Sequence, residues 1–252
     1  SISWTASASG LTPDYYVLDM ATDIDFTNKL VDSENTGTTT SRDFSELEIG
    51  TTYYYRVAQY NTSLAQQGAW AVDSFTTLKL SQTIDFDVVS SMTYGDASFE
   101  LAADASSGLE LTFVSSNTDV ATISGRMVTI VGAGTITITA TQEGNQTYYP
   151  VSVEQEFTVD KAEQIITFGG LGMKVYGSEN YDISATSTSG LPVTFTSSDN
   201  SVATISGNTV AIVGGGVATI TATQAGNENY ESATSVNQPL TVTKATLYVA
   251  VD

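Results

Sequence analysis

The chain has 252 residues and a net charge of −20, from 28 Asp and Glu against 8 Lys and Arg, with no cysteine and no histidine. No disulfide can staple it, no Cys- or His-ligated zinc, haem or iron–sulfur site can form, and Ser-His-Asp and Cys-His catalysis are excluded outright. So acidic a protein is repelled by a nucleic-acid duplex or an anionic membrane surface, and no apolar run approaches the roughly 18 residues of a membrane span.

The acidity reads as solubility and self-repulsion between neighbouring molecules, with divalent-cation capture or life in a salty medium as the sharper alternative. Thr, Ser, Val, Ile, Tyr and Gly dominate while Lys, Arg and Glu are sparse, a mixture suited to strands and turns and poor for helices. "TITITAT" (Thr135 to Thr141) and "VATITAT" (Val217 to Thr223) alternate with period 2. An all-β fold is expected.

In chain order, residues 1–78 place Trp4 in an opening strand, followed by "YYVLDMATDIDF" (Tyr15 to Phe26), "LEIGTTYYYRVAQYN" (Leu47 to Asn61) and "GAWAVDSFTT" (Gly68 to Thr77). In "YYYRV", Tyr53, Tyr55 and Val57 share one face of a strand, and Tyr54 and Arg56 the other. The tryptophan, the Leu-x-x-Gly-Thr-x-Tyr corner and the final Ser-Phe-x-Thr strand together resemble a fibronectin type III domain. Ile49 stands where that family usually has proline before the corner glycine. The resemblance implies a sandwich in which the Tyr53 hydroxyl bonds back to nearby backbone.

The rest of the chain says most things twice. "SSNTDVATISG" (Ser115 to Gly125) returns as "SSDNSVATISG" (Ser197 to Gly207), identical at 8 of 11 positions. "QTIDF" at Gln82 returns as "QIITF" at Gln164, "IVGAG" at Ile130 as "IVGGG" at Ile212, and "TQEGNQTYY" at Thr141 as "TQAGNENYE" at Thr223, all at an offset of 82. Two repeats, 79–162 and 163–245, are expected, with 246–252 as the start of a further module or a terminal strand. The chain opens on "SISW" without a signal peptide and closes on "KATLYVAVD", which reads as a segment of something longer.

Within the repeated phrase, Ser-Ser-Asn or Ser-Ser-Asp is turn chemistry. "VATI" is expected as a short strand with Val120 and Thr122 on one face and Ala121 and Ile123 on the other. Ser-Gly makes a tight reversal. Gly132-Ala133-Gly134 and Gly214-Gly215-Gly216 read as hairpins, since they lack the Lys-Ser/Thr of a phosphate loop. The Ser-Ser turn, "VATIS", Gly, "GAGT" and "ITAT" closely resemble bacterial Ig-like domains of group 2 and related tandem modules of large bacterial surface proteins. That resemblance implies tandem Ig-like and fibronectin-like β-sandwiches in an elongated array. "Lys-Ala-Thr-Leu" at Lys244 also looks like the joint of such arrays in gliding and adhesive proteins of Bacteroidota. The links "TLKLSQ" (Thr77 to Gln82) and "DKAEQ" (Asp160 to Gln164) are too short to be flexible tethers, so a rod of order 100 Å is expected.

Candidate chemistry is thin. No Lys lies near either repeated Ser-Ser, and small sandwiches without long loops offer no cleft for a sugar between paired carboxylates. Asp85 and Asp87 set two carboxylates on one strand face near a module junction and are the calcium candidates; Asp23 and Asp25, followed by Asn28, are a second acidic group. Against both stands the reading of solvated strand edges that discourage aggregation. Tyr54, Tyr60, Tyr148 and Tyr149 are the better exposed rings for a sugar, with Trp4 and Trp70 assigned to packing. Asn61-Thr62-Ser63 and Asn145-Gln146-Thr147 spell glycosylation sequons. The expected function is a non-catalytic stalk of a secreted or surface-anchored bacterial adhesin, extracellular, without a cofactor. Its partners are neighbouring modules of the same longer chain and, through other domains, a host or environmental surface or glycan. The alternative is the accessory region of a secreted enzyme such as a polysaccharide-degrading hydrolase.

Overall fold

The computed structural model describes residues 1–5 and 12–246. Every regular element among them is a β-strand. The closing segment after Thr246, read as the start of a further module, lies outside the described residues.

In residues 1–78 the strands Lys29–Asn35, Tyr15–Ala21, Thr52–Asn61 and Gln66–Gln67 form one sheet in that order, and Ala71–Thr76 pairs the same edge of Thr52–Asn61 as Gln66–Gln67, further along it. Ile2–Ser3 pairs Ser41–Arg42 in a second, two-stranded sheet. Alternation puts Tyr16, Leu18 and Val57 on the inward face with Ile2, and Trp4, Phe44, Tyr55 and Phe75 pack against them. The corner tyrosine is in place. Tyr53 is 2% exposed, and its hydroxyl accepts the Glu48 backbone N–H at 2.8 Å. Gly50 opens that corner at φ +64.

The two sequence repeats fold alike. In the second, a four-stranded sheet runs Met173–Val175, Val236–Thr243, Gly216–Thr223, Thr194–Ser197, with the first pair parallel and the others antiparallel. Facing it are Tyr181–Asp182, Thr209–Ile212 and Ala203–Ser206 in one sheet and Ile166–Phe168 with Ala185–Ser187 in another. Ile166, Phe168 and Val210 from one side meet Phe195, Ile220, Leu240 and Val242 from the other in a single buried cluster, so this is a sandwich. The first repeat has the same sheet orders, Met92–Thr93, Val151–Asp160, Gly134–Gln142, Thr112–Ser115 against Phe99–Glu100, Met127–Ile130, Ala121–Ser124.

Two local expectations change. Val120 belongs to the turn, not the strand. Its N–H and that of Ala121 both reach the Asn117 carbonyl, at 3.3 and 3.2 Å, so the strand starts at Ala121. Val120 and Ala121 are therefore buried together, while Thr122 faces solvent. The Gly-x-Gly segments are not hairpins either, because Met127–Ile130 and Gly134–Gln142 lie in different sheets. They are corners between sheets. The Val131 and Gly132 amides both bond the Val120 carbonyl, and a Cβ at Gly132 would sit 2.6 Å from the Asp119 carbonyl oxygen. The same bonds and the same close approach recur at Val213, Gly214, Val202 and Ser201. The true hairpin is the preceding Gly125-Arg126 reversal, where Ser124 pairs Met127 and Gly125 takes φ +59.

The chain divides into two compact units, one of Ser1–Phe86, Ala103–Thr112 and Ala140–Val153, the other of Asp87–Ala102, Phe113–Thr139 and Glu154–Asp252. The first unit thus joins residues 1–78 to part of the first repeat, including the paired strands Ile84–Phe86 and Ala103–Ala105. The second joins part of the first repeat to the second.

Candidate functional site

Asp85 faces outward from Ile84–Phe86, and its cross-strand neighbour is Asp104. Asp87 lies just past that strand, with its N–H on the Ala102 carbonyl at 3.0 Å. Among the described residues, no three Asp or Glu side chains gather as a metal cluster. Asp23 closes a loop on itself. Its carboxylate accepts the Thr27 N–H at 2.9 Å, the Thr27 hydroxyl at 3.0 Å and the Asn28 N–H at 2.7 Å, and the Thr27 and Asn28 amides hold its pKa below the ordinary value. Of the candidate sugar platforms, Tyr60 stacks on Tyr15 at 4.9 Å and Tyr148 forms a bridge with Leu80, while Tyr149 is 42% exposed.

The closed loop serves a group that the sequence did not single out. Asp19 is fully buried on the outer face of the first sheet, directly across from Arg56. Arg56 Nη2 and Nε lie 2.7 and 2.8 Å from Asp19 Oδ2, Lys29 Nζ lies 3.2 Å from it, and the Ser33 N–H reaches Oδ1 at 2.6 Å. The Arg56 guanidinium sits between the Phe26 ring at 4.4 Å and the Trp70 ring at 4.5 Å. Phe26 reaches it from the loop that Asp23 closes, at φ +56. These bonds use the carboxylate fully, so the arrangement fixes the sheet rather than presenting a reactive group.

The most specific constellation is repeated. It is the loop Gly144-Asn145-Gln146-Thr147-Tyr148, returning as Gly226-Asn227-Glu228-Asn229-Tyr230. Asn145 Oδ1 accepts the Thr147 and Tyr148 amides at 2.8 and 2.9 Å, and Asn227 Oδ1 accepts those of Asn229 and Tyr230 at 2.9 Å each. The glycine is obligatory, since a Cβ would sit 2.5 Å from the Tyr148 carbonyl oxygen in one copy and 2.4 Å from that of Tyr230 in the other. Beneath the loop lies a buried amide pair. Gln82 Nε2 donates to Gln142 Oε1 at 2.7 Å and to the Tyr149 carbonyl at 2.6 Å, while Ser107 Oγ donates to Gln82 Oε1. Gln164, Gln224, Glu231 and Ser189 repeat this network.

Each loop grips the linker before its own repeat. Lys79 Nζ donates to the Asn145 carbonyl at 2.6 Å and Lys161 Nζ to that of Asn227 at 2.8 Å. The Leu80 N–H reaches the Thr147 carbonyl at 2.7 Å, and the Leu80 carbonyl receives the Tyr149 N–H at 2.9 Å. Ala162 repeats both bonds, to Asn229 at 3.0 Å and from Glu231 at 2.9 Å. The loops also reach past the linker. Gln146 Nε2 donates to Thr51 Oγ1 at 3.3 Å, and its carbonyl oxygen lies 1.8 Å from where a Gly50 Cβ would be. In the second joint, Asn229 Oδ1 accepts the Ala133 N–H at 2.9 Å, and Tyr230 meets Tyr94 edge-on at 5.4 Å.

No protein-family model matches the chain, and no curated protein matches it. Among solved structures, N-cadherin EC1-4 from Drosophila aligns over 92% of this chain and 67% of its own at 11% identity, with a TM-score of 0.33. The fibronectin(III)-like modules of CbhA from Clostridium thermocellum align over 68% and 99% at 13% identity and TM-score 0.29. The N-terminal four Ig domains of Dscam1 isoform 7.44 align over 92% and 65% at 13% identity and TM-score 0.30. At these scores the likeness names no relative and transfers no property. No helix among the described residues is long and apolar enough to cross a membrane.

Proposed function

We propose that this segment is a non-catalytic spacer of a secreted or surface-anchored bacterial adhesin, made of three modules, 1–78, 79–162 and 163–245, that hold a binding tip away from its anchor. One observation carries the reading: both linkers are bonded through N–H, C=O and a lysine side chain to the loop that follows, in the same way each time. A hinge would leave those backbone groups to water, whereas fixed joints suit a spacer that must resist bending. The lack of histidine and cysteine removes the commonest nucleophile–base pairs and agrees with a mechanical role.

Small-angle scattering of the purified chain tests the reading. A maximum dimension of order 100 Å, from strand lengths and loops, is expected. The profile of a compact globule, or hydrolytic turnover of a polysaccharide by the segment, would overturn it. The sequence flanking the segment separates an adhesin, with many more repeats, from a secreted enzyme, with a catalytic domain.

A further inference from the structure

The residues that receive a loop at the second joint occur once more, at the far end of the second repeat. Tyr94, Ala133, Lys161 and Ala162 correspond to Tyr176, Gly215, Lys244 and Ala245. The backbone presents them identically. The Tyr94 N–H bonds the Asp160 carbonyl at 2.8 Å, and the Tyr176 N–H bonds that of Thr243 at 2.8 Å. Gly134 and Gly216 close the two corners at φ +148 and +153. What differs is the cover. Tyr94 is half-buried under Tyr230, whereas Tyr176 is 51% exposed; Ala133 is half-buried under Asn229, whereas Gly215 is exposed.

We propose that this end of the second repeat is a docking surface for the Gly-Asn-x-Asn-Tyr loop of a further copy of the same repeat. Gly215 N–H would bond the incoming asparagine as Ala133 does, Tyr176 would take the incoming tyrosine edge-on, and Lys244 would reach the loop carbonyl. The loop's two variable positions, Gln146/Glu228 and Thr147/Asn229, choose the surface. Gln146 meets Gly50 and Thr51 in the first joint, whereas Asn229 meets the Ala133 corner in the second. A surface built like the Ala133 corner therefore calls for asparagine at the Asn229 position. A second molecule of this chain does not fit, because both of its Gly-Asn loops are already held by Lys79 and Lys161. This deepens the spacer reading but stands or falls separately. A compact scattering profile would end that reading and leave this joint intact.

The test adds a second copy of residues 163–245 directly after Ala245 and follows amide hydrogen exchange at Gly215. In the extended chain the Gly215 amide is expected to exchange roughly tenfold or more slowly than in the original, approaching Ala133. Asn229→Ala in the added copy alone is expected to restore the original Gly215 rate. An unchanged Gly215 rate with Ala133 still protected would overturn the proposal, as would slowing that survives the Asn229→Ala change. A chain that folds with the added copy behind a five-residue Gly/Ser spacer, but not with it joined directly, would also count against it.

Discussion

Asn229 accepts a hydrogen bond from the backbone N–H of Ala133, 96 residues earlier, at 2.9 Å. A side chain of the second repeat thus completes a corner of the first, whose own turn bonds satisfy Val131 and Gly132 but leave the Ala133 amide to this partner. Asn229→Ala is expected to speed Ala133 amide exchange about tenfold and to cost about 1 kcal/mol. Asn227→Ala removes two loop-closing bonds and should cost more. Equal effects of the two substitutions on Ala133 would contradict this division of labour.

The Gln164–Gln224 pair is buried, and its amides are bonded on both faces. Gln164→Ala leaves the Gln224 Oε1 with one partner fewer and strips the Glu231 carbonyl, at an expected cost of about 1–3 kcal/mol. Urea denaturation of Gln164→Ala, Gln224→Ala and the double variant should show strong coupling, since the second loss removes groups already orphaned. Additive costs would mean that the two amides act independently.

Turn chemistry is legible where short polar side chains carry it, though the apolar Val120 at the end of the same turn reads as strand. Ser115, Asn117 and Asp119 satisfy one another within a few residues: the Asn117 N–H bonds Ser115 Oγ at 3.3 Å and the Asp119 N–H bonds Asn117 Oδ1 at 3.0 Å. Period-2 alternation likewise located Gly134–Gln142 and Gly216–Thr223. The corners after Ile130 and Ile212 are not legible, because glycine spacing shows that the chain turns, not into which sheet it goes. Asp19–Arg56, Gln82–Gln142 and Asn229–Ala133 join residues 37, 60 and 96 apart. Such pairs depend on strand register and module stacking, which leave no local pattern. Repetition does mark the glutamine pair, and it marks the Gly-Asn loop that carries Asn229, at positions where strand formation alone would not ask for them, although Asn229 itself stands where the first copy has Thr147.

Glycines in the repeat divide by what surrounds them. Gly226 has φ +78, and a Cβ there would lie 2.4 Å from the Tyr230 carbonyl oxygen; Gly207 has φ +59 with nothing near. Gly207→Ala should cost about 1–2 kcal/mol from backbone conformation alone. Gly226→Ala adds a steric clash with backbone, and should cost clearly more and also release Lys161 from the loop. Thermal melts of the two variants decide it, and a smaller loss at Gly226 would refute the obligatory-glycine argument.

Arg56 carries both charge and packing. Arg56→Ala leaves buried Asp19 with Lys29 as its remaining cation and removes the filling between Phe26 and Trp70. A loss of about 3 kcal/mol is expected. Arg56→Lys keeps the charge but not the planar fork or its stacking, so it should recover only part of that loss. Full rescue by lysine, read from urea midpoints, would mean that the aromatic sandwich contributes nothing.

Acid should act unequally on the two copies of the repeated turn. Asp199 accepts the Ser201 hydroxyl at 2.6 Å and the Ser201 N–H at 2.8 Å, and these bonds hold its pKa below the ordinary 3.8. A carboxyl depressed in the folded state binds fewer protons there than when unfolded. Its contribution is therefore present above pH 3.8 and is lost as the pH falls through the depressed value. The matching residue in the first copy is Asn117, which makes the same bond without titrating. Asp199→Asn thus imports a side chain the turn already tolerates, and should flatten part of the acid limb without abolishing folding. Asp23, depressed by the Thr27 and Asn28 amides, contributes in the same window and remains as the internal reference. Stability measured from about pH 7 down to about pH 2 should show wild type and Asp199→Asn converging as acid is added. Profiles that stay parallel throughout would show that the Asp199 carboxylate contributes nothing to folding.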